Sequence, residues 1–188
     1  MALKTLVKVG GITNLSDARY CAGMGVDFLG FRVVEGFPNS ISLKSYQEIR
    51  GWVTGPQIVA EIYGVSDAQY LRQVLENFRP DMLELGLVEY EAIGSHLEMP
   101  FILALKDNED LPHLAVKPAY ILASDGPAVS KLIPDYELLL KATNSQEAER
   151  CLGHTGVSGL ALEGGHEVRP GLKSYDDLAD ILELLEQD

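Results

Sequence analysis

Long apolar runs are missing from this sequence: no stretch approaches the ~20 residues that a membrane helix needs. The opening MALKTLVKVGG is interrupted by Lys4 and Lys8 too early to read as a secretory leader. Cysteine is scarce. The two present, Cys21 and Cys151, carry no metal-ligand spacing and no disulfide framework, which points to a reduced, cytoplasmic setting. The four histidines, His96, His113, His154 and His166, show no ligand spacing either, so no metal is expected. Basic charge is in deficit, with 15 Lys and Arg against 28 Asp and Glu and a net charge of −13. Nucleic acid and anionic membrane surfaces would be repelled at long range, and neither is expected as a partner.

What is present is an ordinary globular composition, 46% hydrophobic and 23% charged over 188 residues, which suits one domain over residues 1–188. Short β-rich apolar runs alternate with helical patterns throughout. Strands are expected near 3–9, 26–32, 57–63, 82–86, 101–106, 119–123, 136–141 and 157–163. Helices are expected near 14–24, 43–52, 66–78, 88–97, 110–116, 127–133, 144–153 and 174–186. Ser66, Asn144 and Ser174 suit helix N-caps, because their side-chain oxygens can accept from free helix N–H groups. Leu71, Val74, Leu75 and Phe78 recur at helical spacing, as do Leu178, Ile181, Leu182 and Leu185. Strict β–α alternation forces parallel strands, and eight such units predict a closed (β/α)₈ TIM barrel of class α/β. An open doubly wound sheet is the alternative.

In a barrel of this kind chemistry sits where strands end and βα loops begin. The expected strands carry Lys8, Arg32, Glu61, Glu84, Lys106, Lys141 and Glu163, with Asp107, Asp125, His166 and Glu167 just beyond. A charge inside an apolar strand is costly unless it is paired or functional. If these side chains point inward they form a charged layer at the barrel mouth; if outward, they lie against helix ends. Gly10-Gly11 and Gly164-Gly165 follow the first and last strands. Glycines let backbone N–H groups approach an anion, so Gly164 and Gly165 are candidates for a phosphate or carboxylate site, with Lys8 and Lys106 nearby. The same glycines also suit plain tight turns. A desolvated Lys141 or Lys106 would suit Schiff-base chemistry, and ion pairing with the strand-end glutamates is the competing use.

Lys8-Val9-Gly10-Gly11-Ile12-Thr13 followed by Asp17-Ala18 resembles the opening of the phosphoribosylanthranilate isomerase family of tryptophan biosynthesis. That family begins Lys-Ile-Cys-Gly-Ile-Thr before an acidic-Ala helix start. Gly25-Val26-Asp27-Phe28-Leu29-Gly30-Phe31 is similar to its second strand, and Met82-Leu83-Glu84-Leu85-Gly86 takes the place of its Val-Gln-Leu-His-Gly. Gly165 to Lys173 resembles its Ser-Gly-Val-Glu-x-x-Pro-Gly-x-Lys signature. The resemblance implies a cofactor-free Amadori rearrangement, in which an acid protonates the ribose ring oxygen and a base takes the C2 proton. The family's base is a Cys after strand one, and its acid is an Asp after strand six.

Here the Cys position holds Gly10 and the acid position aligns with Ala123. The family's carboxylate-holding Arg aligns with Asn39, and its strand-seven Gly-Gly with Lys141-Ala142. Four readings follow. One is a divergent paralogue with lost or altered isomerase activity that binds a phosphorylated or carboxylated metabolite. The second is an active isomerase using Asp125 as acid and Glu84, Glu163 or a water as base. The third is a lysine-dependent sugar-phosphate lyase or aldolase acting through Lys141 or Lys106. The fourth is a non-catalytic interaction protein. The first is the expectation carried forward, for a cytoplasmic monomer or homodimer.

Overall fold

Eight segments of four or five residues, nearly all apolar, form parallel strands: β1 Leu6–Gly10, β2 Phe28–Arg32, β3 Gln57–Glu61, β4 Met82–Gly86, β5 Phe101–Ala104, β6 Tyr120–Ser124, β7 Leu138–Lys141 and β8 Gly159–Glu163. The structure, a computed structural model, describes residues 2–107, 109–164, 166–169, 172–174 and 176–187, with the backbone alone for 166–169 and 172–174. Each strand pairs with the next, and β8 returns to β1 along Leu6↔Gly159 through Gly10↔Glu163, closing the barrel. The sheet therefore has no free edge, and the open doubly wound alternative falls away.

Closure explains why these strands read as continuous apolar runs: both faces are covered. Alternate residues turn outward into the layer beneath the helices, as Val7, Leu29, Ile58, Leu83, Leu103 and Leu140 do. The others fill the interior, where Phe28, Val59, Met82, Ile102, Leu122 and Leu139 pack as a separate cluster. Full burial of each large apolar side chain contributes roughly 1.5–3 kcal/mol.

The helices are α1 Leu15–Gly23, α2 Leu43–Arg50, α3 Ala68–Phe78, α4 Leu87–Ile93, α5 Val129–Leu132, α6 Ser145–Leu152 and α7 Asp176–Leu184. Their starts are chemically marked. Asn14, Ser42 and Asn144 accept from the N–H three residues on, and Asp67 accepts from Gln69 and Tyr70. Asp67 rather than Ser66 therefore caps α3, since an ionised carboxylate at that point is the better acceptor for N–H groups at the positive helix end. Ser174 falls in a strand and its side chain lies outside what is described. α3 buries Leu71, Val74 and Phe78, and α7 buries Leu178, Ile181 and Leu182, as their spacing predicts.

Two connections depart from expectation. No helix forms over 110–116. Pro112 disfavours helical backbone at Leu111, and Pro118 does the same at Lys117, leaving too few residues to nucleate one. The Tyr90 hydroxyl instead accepts from the Val116 N–H at 3.0 Å and fixes the segment to α4. After β8 the chain forms an antiparallel pair, β9 His166–Arg169 and β10 Leu172–Ser174, before α7 begins. Cys21 and Cys151 are buried free thiols, in line with the expectation that they are not bridged. Among the described residues no helix is long and apolar enough to cross a membrane.

Candidate active site

The C-terminal ends of the strands hold a buried charge network rather than a simple apolar plug. Lys8 on β1 points inward and is 2% exposed. Its Nζ lies 2.9 Å from Glu61 Oε1 on β3 and 2.8 Å from Glu84 Oε2 on β4. Glu61 is the better satisfied of the two carboxylates: the Gly11 N–H donates to Oε1 at 3.3 Å and Arg32 Nε to Oε2 at 3.2 Å. Arg32 then reaches Glu163 Oε2 at 3.3 Å at the rim. Glu84 Oε1 accepts from the Tyr63 hydroxyl at 2.6 Å. Its Oε2 stands 2.8 Å from Lys8 Nζ, and that ion pair is its contact among the described residues.

Two carboxylates sharing one ammonium are driven apart in acidity. Burial pulls the Lys8 ammonium down, but Glu61 and Glu84 together outweigh it and hold it above the ordinary lysine range. Burial raises Glu61, yet Lys8, Arg32 and the Gly11 N–H more than offset this, and its carboxyl is held below the usual range. For Glu84 burial wins: Lys8 lowers it, but Glu61 raises it further, and the net direction is up. Tyr63 is pushed up by burial and by Glu84, and stays a neutral donor.

Glycines at positions 10 and 30 make room for this network. A Cβ on Gly10 would stand 2.6 Å from Glu61 Oε1 and 2.8 Å from Lys8 Nζ, and one on Gly30 would collide with the same carboxylate. The volume that a side chain at position 10 would occupy is thus already filled by the ion pair.

Above the network opens a cavity of about 440 Å³, lined on its apolar side by Ala104, Leu122 and Ala161 and elsewhere by Lys8, Arg32, Tyr63, Glu84, Lys106, Lys141 and Glu163. Six of the seven strand-end charges flagged in the sequence therefore line one space, with Glu61 directly behind it. Asp125 does not line it; its carboxylate instead meets His154 Nε2 at 2.8 Å. Ala123 packs outward into the helix layer, and the inward residues of β6 are Tyr120 and Leu122. The Gly164 N–H donates to Gly10 O at 2.8 Å and is not open to an anion. Gly165 and the side chains of His166 and Glu167 lie outside the described residues.

Tyr63 was not visible as a site residue in the sequence, although it follows Val59 and Glu61 at the two-residue strand period. Several loop N–H groups near the mouth are also occupied from within. Glu89 accepts from the Gly64 and Gly86 N–H groups, Glu109 from that of Lys106, and Glu147 from that of Thr143. Cys21 and Cys151 take no part: burial pushes their thiols up to about 12 and about 11.

No protein-family model matches the chain. Among curated proteins it is similar to N-(5'-phosphoribosyl)anthranilate isomerase of Xanthomonas oryzae pv. oryzae, 25% identical over 103 residues, covering 54% of this chain and 46% of that protein. The chain thus matches about half the length of that relative. The corresponding isomerase of Cellvibrio japonicus is 22% identical over 192 residues, covering 92% and 89% of the two chains. In structure the chain is similar to phosphoribosyl anthranilate isomerase from Thermus thermophilus, with TM-score 0.76, 21% identity and 95% and 96% coverage. It is also similar to a phosphoribosyl anthranilate isomerase in complex with reduced 1-(o-carboxyphenylamino)-1-deoxyribulose 5-phosphate, with TM-score 0.73, 17% identity and 95% and 97% coverage. The sequence matches and a barrel of the same architecture agree: the chain is similar to phosphoribosylanthranilate isomerases in sequence and shares their fold.

Proposed function

We propose that this chain is a phosphoribosylanthranilate isomerase-like barrel in which the Amadori activity is lost or altered, and that its cavity binds a small phosphorylated or carboxylated metabolite. The observation that carries this reading is the occupied space at Gly10. The family's base stands there by resemblance, whereas this chain has no side chain and seats the Glu61–Lys8 pair in its place. Glu61 does not replace the lost base, because its oxygens are held by an ammonium, a guanidinium and an amide, and its basicity is correspondingly low.

Leu122 faces the cavity on β6 and carries no proton to give, and Asp125 is engaged by His154. Loss of a general acid or a general base each removes about 10²–10⁴ in rate. The ligand class is supported by the phosphorylated, carboxylated compound named for the related complex, whose two anionic groups match the cationic side of this cavity. Expression of the chain in a tryptophan auxotroph lacking the isomerase tests the reading. The expected outcome is no growth without tryptophan despite good expression, and growth would overturn it.

One observation favours a second reading, retained isomerase activity with Glu84 in the proton-transfer role. Its carboxyl is raised in pKa and borders the cavity beside Lys8 and Tyr63. Under that reading the auxotroph grows, and Glu84→Gln abolishes the growth.

A further inference from the structure

The chain between β5 and β6 is fastened differently from the connections on either side. On the face where the strands begin, three residues tie one strand to the next through two bonds each. Asp27, just before β2, donates its N–H to Val7 O at 3.0 Å and accepts the Val7 N–H on Oδ2 at 2.8 Å. Asp81, just before β4, does the same with Ile58, at 2.8 and 2.7 Å. Ser158, just before β8, pairs likewise with Leu138, at 2.9 and 3.1 Å. Ala119 holds the same register before β6, and its N–H donates to Phe101 O at 2.8 Å. It has no side-chain acceptor to offer in return. Only the backbone half of the clamp exists between β5 and β6.

The connection itself is as loosely tied. At its root, Glu109 donates its N–H to Lys106 O at 3.1 Å and accepts the Lys106 N–H on Oε2 at 2.9 Å. Beyond this turn, residues 110–118 form no backbone–backbone hydrogen bond among the described residues. Their hydrogen bonding there comes down to one hydroxyl: Tyr90 accepts the Val116 N–H at 3.0 Å and donates to Val116 O at 3.3 Å. Leu111, Leu114 and Val116 add partly buried apolar contact, and Lys117 Nζ lies 5.5 Å from the centre of the Tyr136 ring. Tyr90 is itself well anchored, because its ring stacks on Phe101 with centroids 5.8 Å apart. Sparse apolar burial and few backbone bonds are the physical marks of a segment that opens locally. Lys106 and Glu109 line the cavity, so the segment stands at the rim of the candidate site.

We propose that residues 110–118 form a strap at the cavity rim that opens by itself while the barrel stays closed, with the Tyr90 hydroxyl as its latch and the half-made clamp at Ala119 leaving its far end loose. Strap opening is independent of whether the chain retains isomerase activity.

Digestion of the full, folded chain with thermolysin, which cuts on the N-terminal side of large apolar residues, reads this opening. The first cut is expected inside the strap, before Leu114 or Val116, at a rate that barely responds to urea below the unfolding transition. Tyr90→Phe keeps the ring and removes the latch, and is expected to speed that cut by about three- to tenfold, as loss of one hydrogen bond does. Ala119→Asp supplies the missing carboxylate and is expected to slow the cut by a similar factor. Circular dichroism of each variant confirms that it is folded. A first cut elsewhere, or a rate that climbs with urea as steeply as global unfolding, would overturn the strap. An unchanged rate in Tyr90→Phe would overturn the latch, and an unchanged rate in Ala119→Asp would overturn the part given to the clamp.

Discussion

Lys8 is the residue on which the site turns, because one buried ammonium serves two buried carboxylates. Removing one partner of such a cluster leaves an uncompensated charge and costs about 3–5 kcal/mol. Lys8→Met is therefore expected to destabilise the fold by that amount, seen as a lower urea midpoint. The two glutamates should then behave oppositely. Glu61→Gln removes the well-satisfied anion and is expected to be strongly destabilising, whereas Glu84→Gln replaces a carboxyl already strained by burial and is expected to be neutral or stabilising near neutrality. Comparable losses in both variants would contradict this asymmetry.

The signs of the pH dependence follow from the same three groups. Lys8 is raised, so its contribution is present below the ordinary lysine value of 10.5 and is lost as pH climbs past it. Glu61 is lowered, so its contribution is present above the ordinary 4.5 and is lost as pH falls through its folded value. Glu84 is raised, so its contribution is present below 4.5 and fades as pH rises through its folded value. The stability advantage of Glu84→Gln over the native chain is accordingly expected to grow as pH rises above the ordinary value of 4.5 in urea titrations. An advantage that shrinks over that range would contradict the assignment of Glu84 as the raised carboxyl.

Gly10 carries a third residue-scale expectation. Restoring a thiol with Gly10→Cys drives a Cβ against Glu61 Oε1 and Lys8 Nζ. Overpacking of this kind costs about 1–3 kcal/mol, so the variant is expected to be less stable than the native chain and to gain no isomerase activity.

At the scale of elements, the strands were legible because burial on both faces writes them as apolar runs, and seven of the eight expected helices stand where their periodicity or caps put them. The segment over 110–116 misled because its leucines, Leu111 and Leu114, do pack partly on the core, while the two prolines that prevent a helix act through backbone sterics that periodicity ignores. The β9–β10 pair was missed because its strands are short and polar. Asn144 offers a direct check on the capping argument: Asn144→Ala removes the acceptor for the Glu147 N–H and is expected to cost about 1 kcal/mol in thermal or urea unfolding.

The candidate site was half legible for a related reason. Charges inside apolar strands announced themselves, and Lys8, Glu84, Lys106, Lys141 and Glu163 do share one cavity. Facing was not readable. Ala123 turned outward and Asp125 turned to His154 because strand rotation and loop path are fixed only when the barrel closes. Tyr63 stayed hidden because a tyrosine at the end of a strand is an unremarkable core residue until a carboxylate is placed beside it.

The whole molecule sets an acidic exterior around a cavity lined by four cations and four carboxylates, on a barrel similar to those of isomerases. The ion-pair network that fills the space beside Gly10 also ties β1, β2, β3, β4 and β8 together at the barrel mouth. Steady-state turnover of phosphoribosylanthranilate by the purified chain, followed by loss of anthranilate-type fluorescence, tests this account most directly. The predicted result is a rate lower by a factor of at least about 10² than that of a biosynthetic isomerase assayed alongside. Turnover at the rate of that isomerase would contradict it.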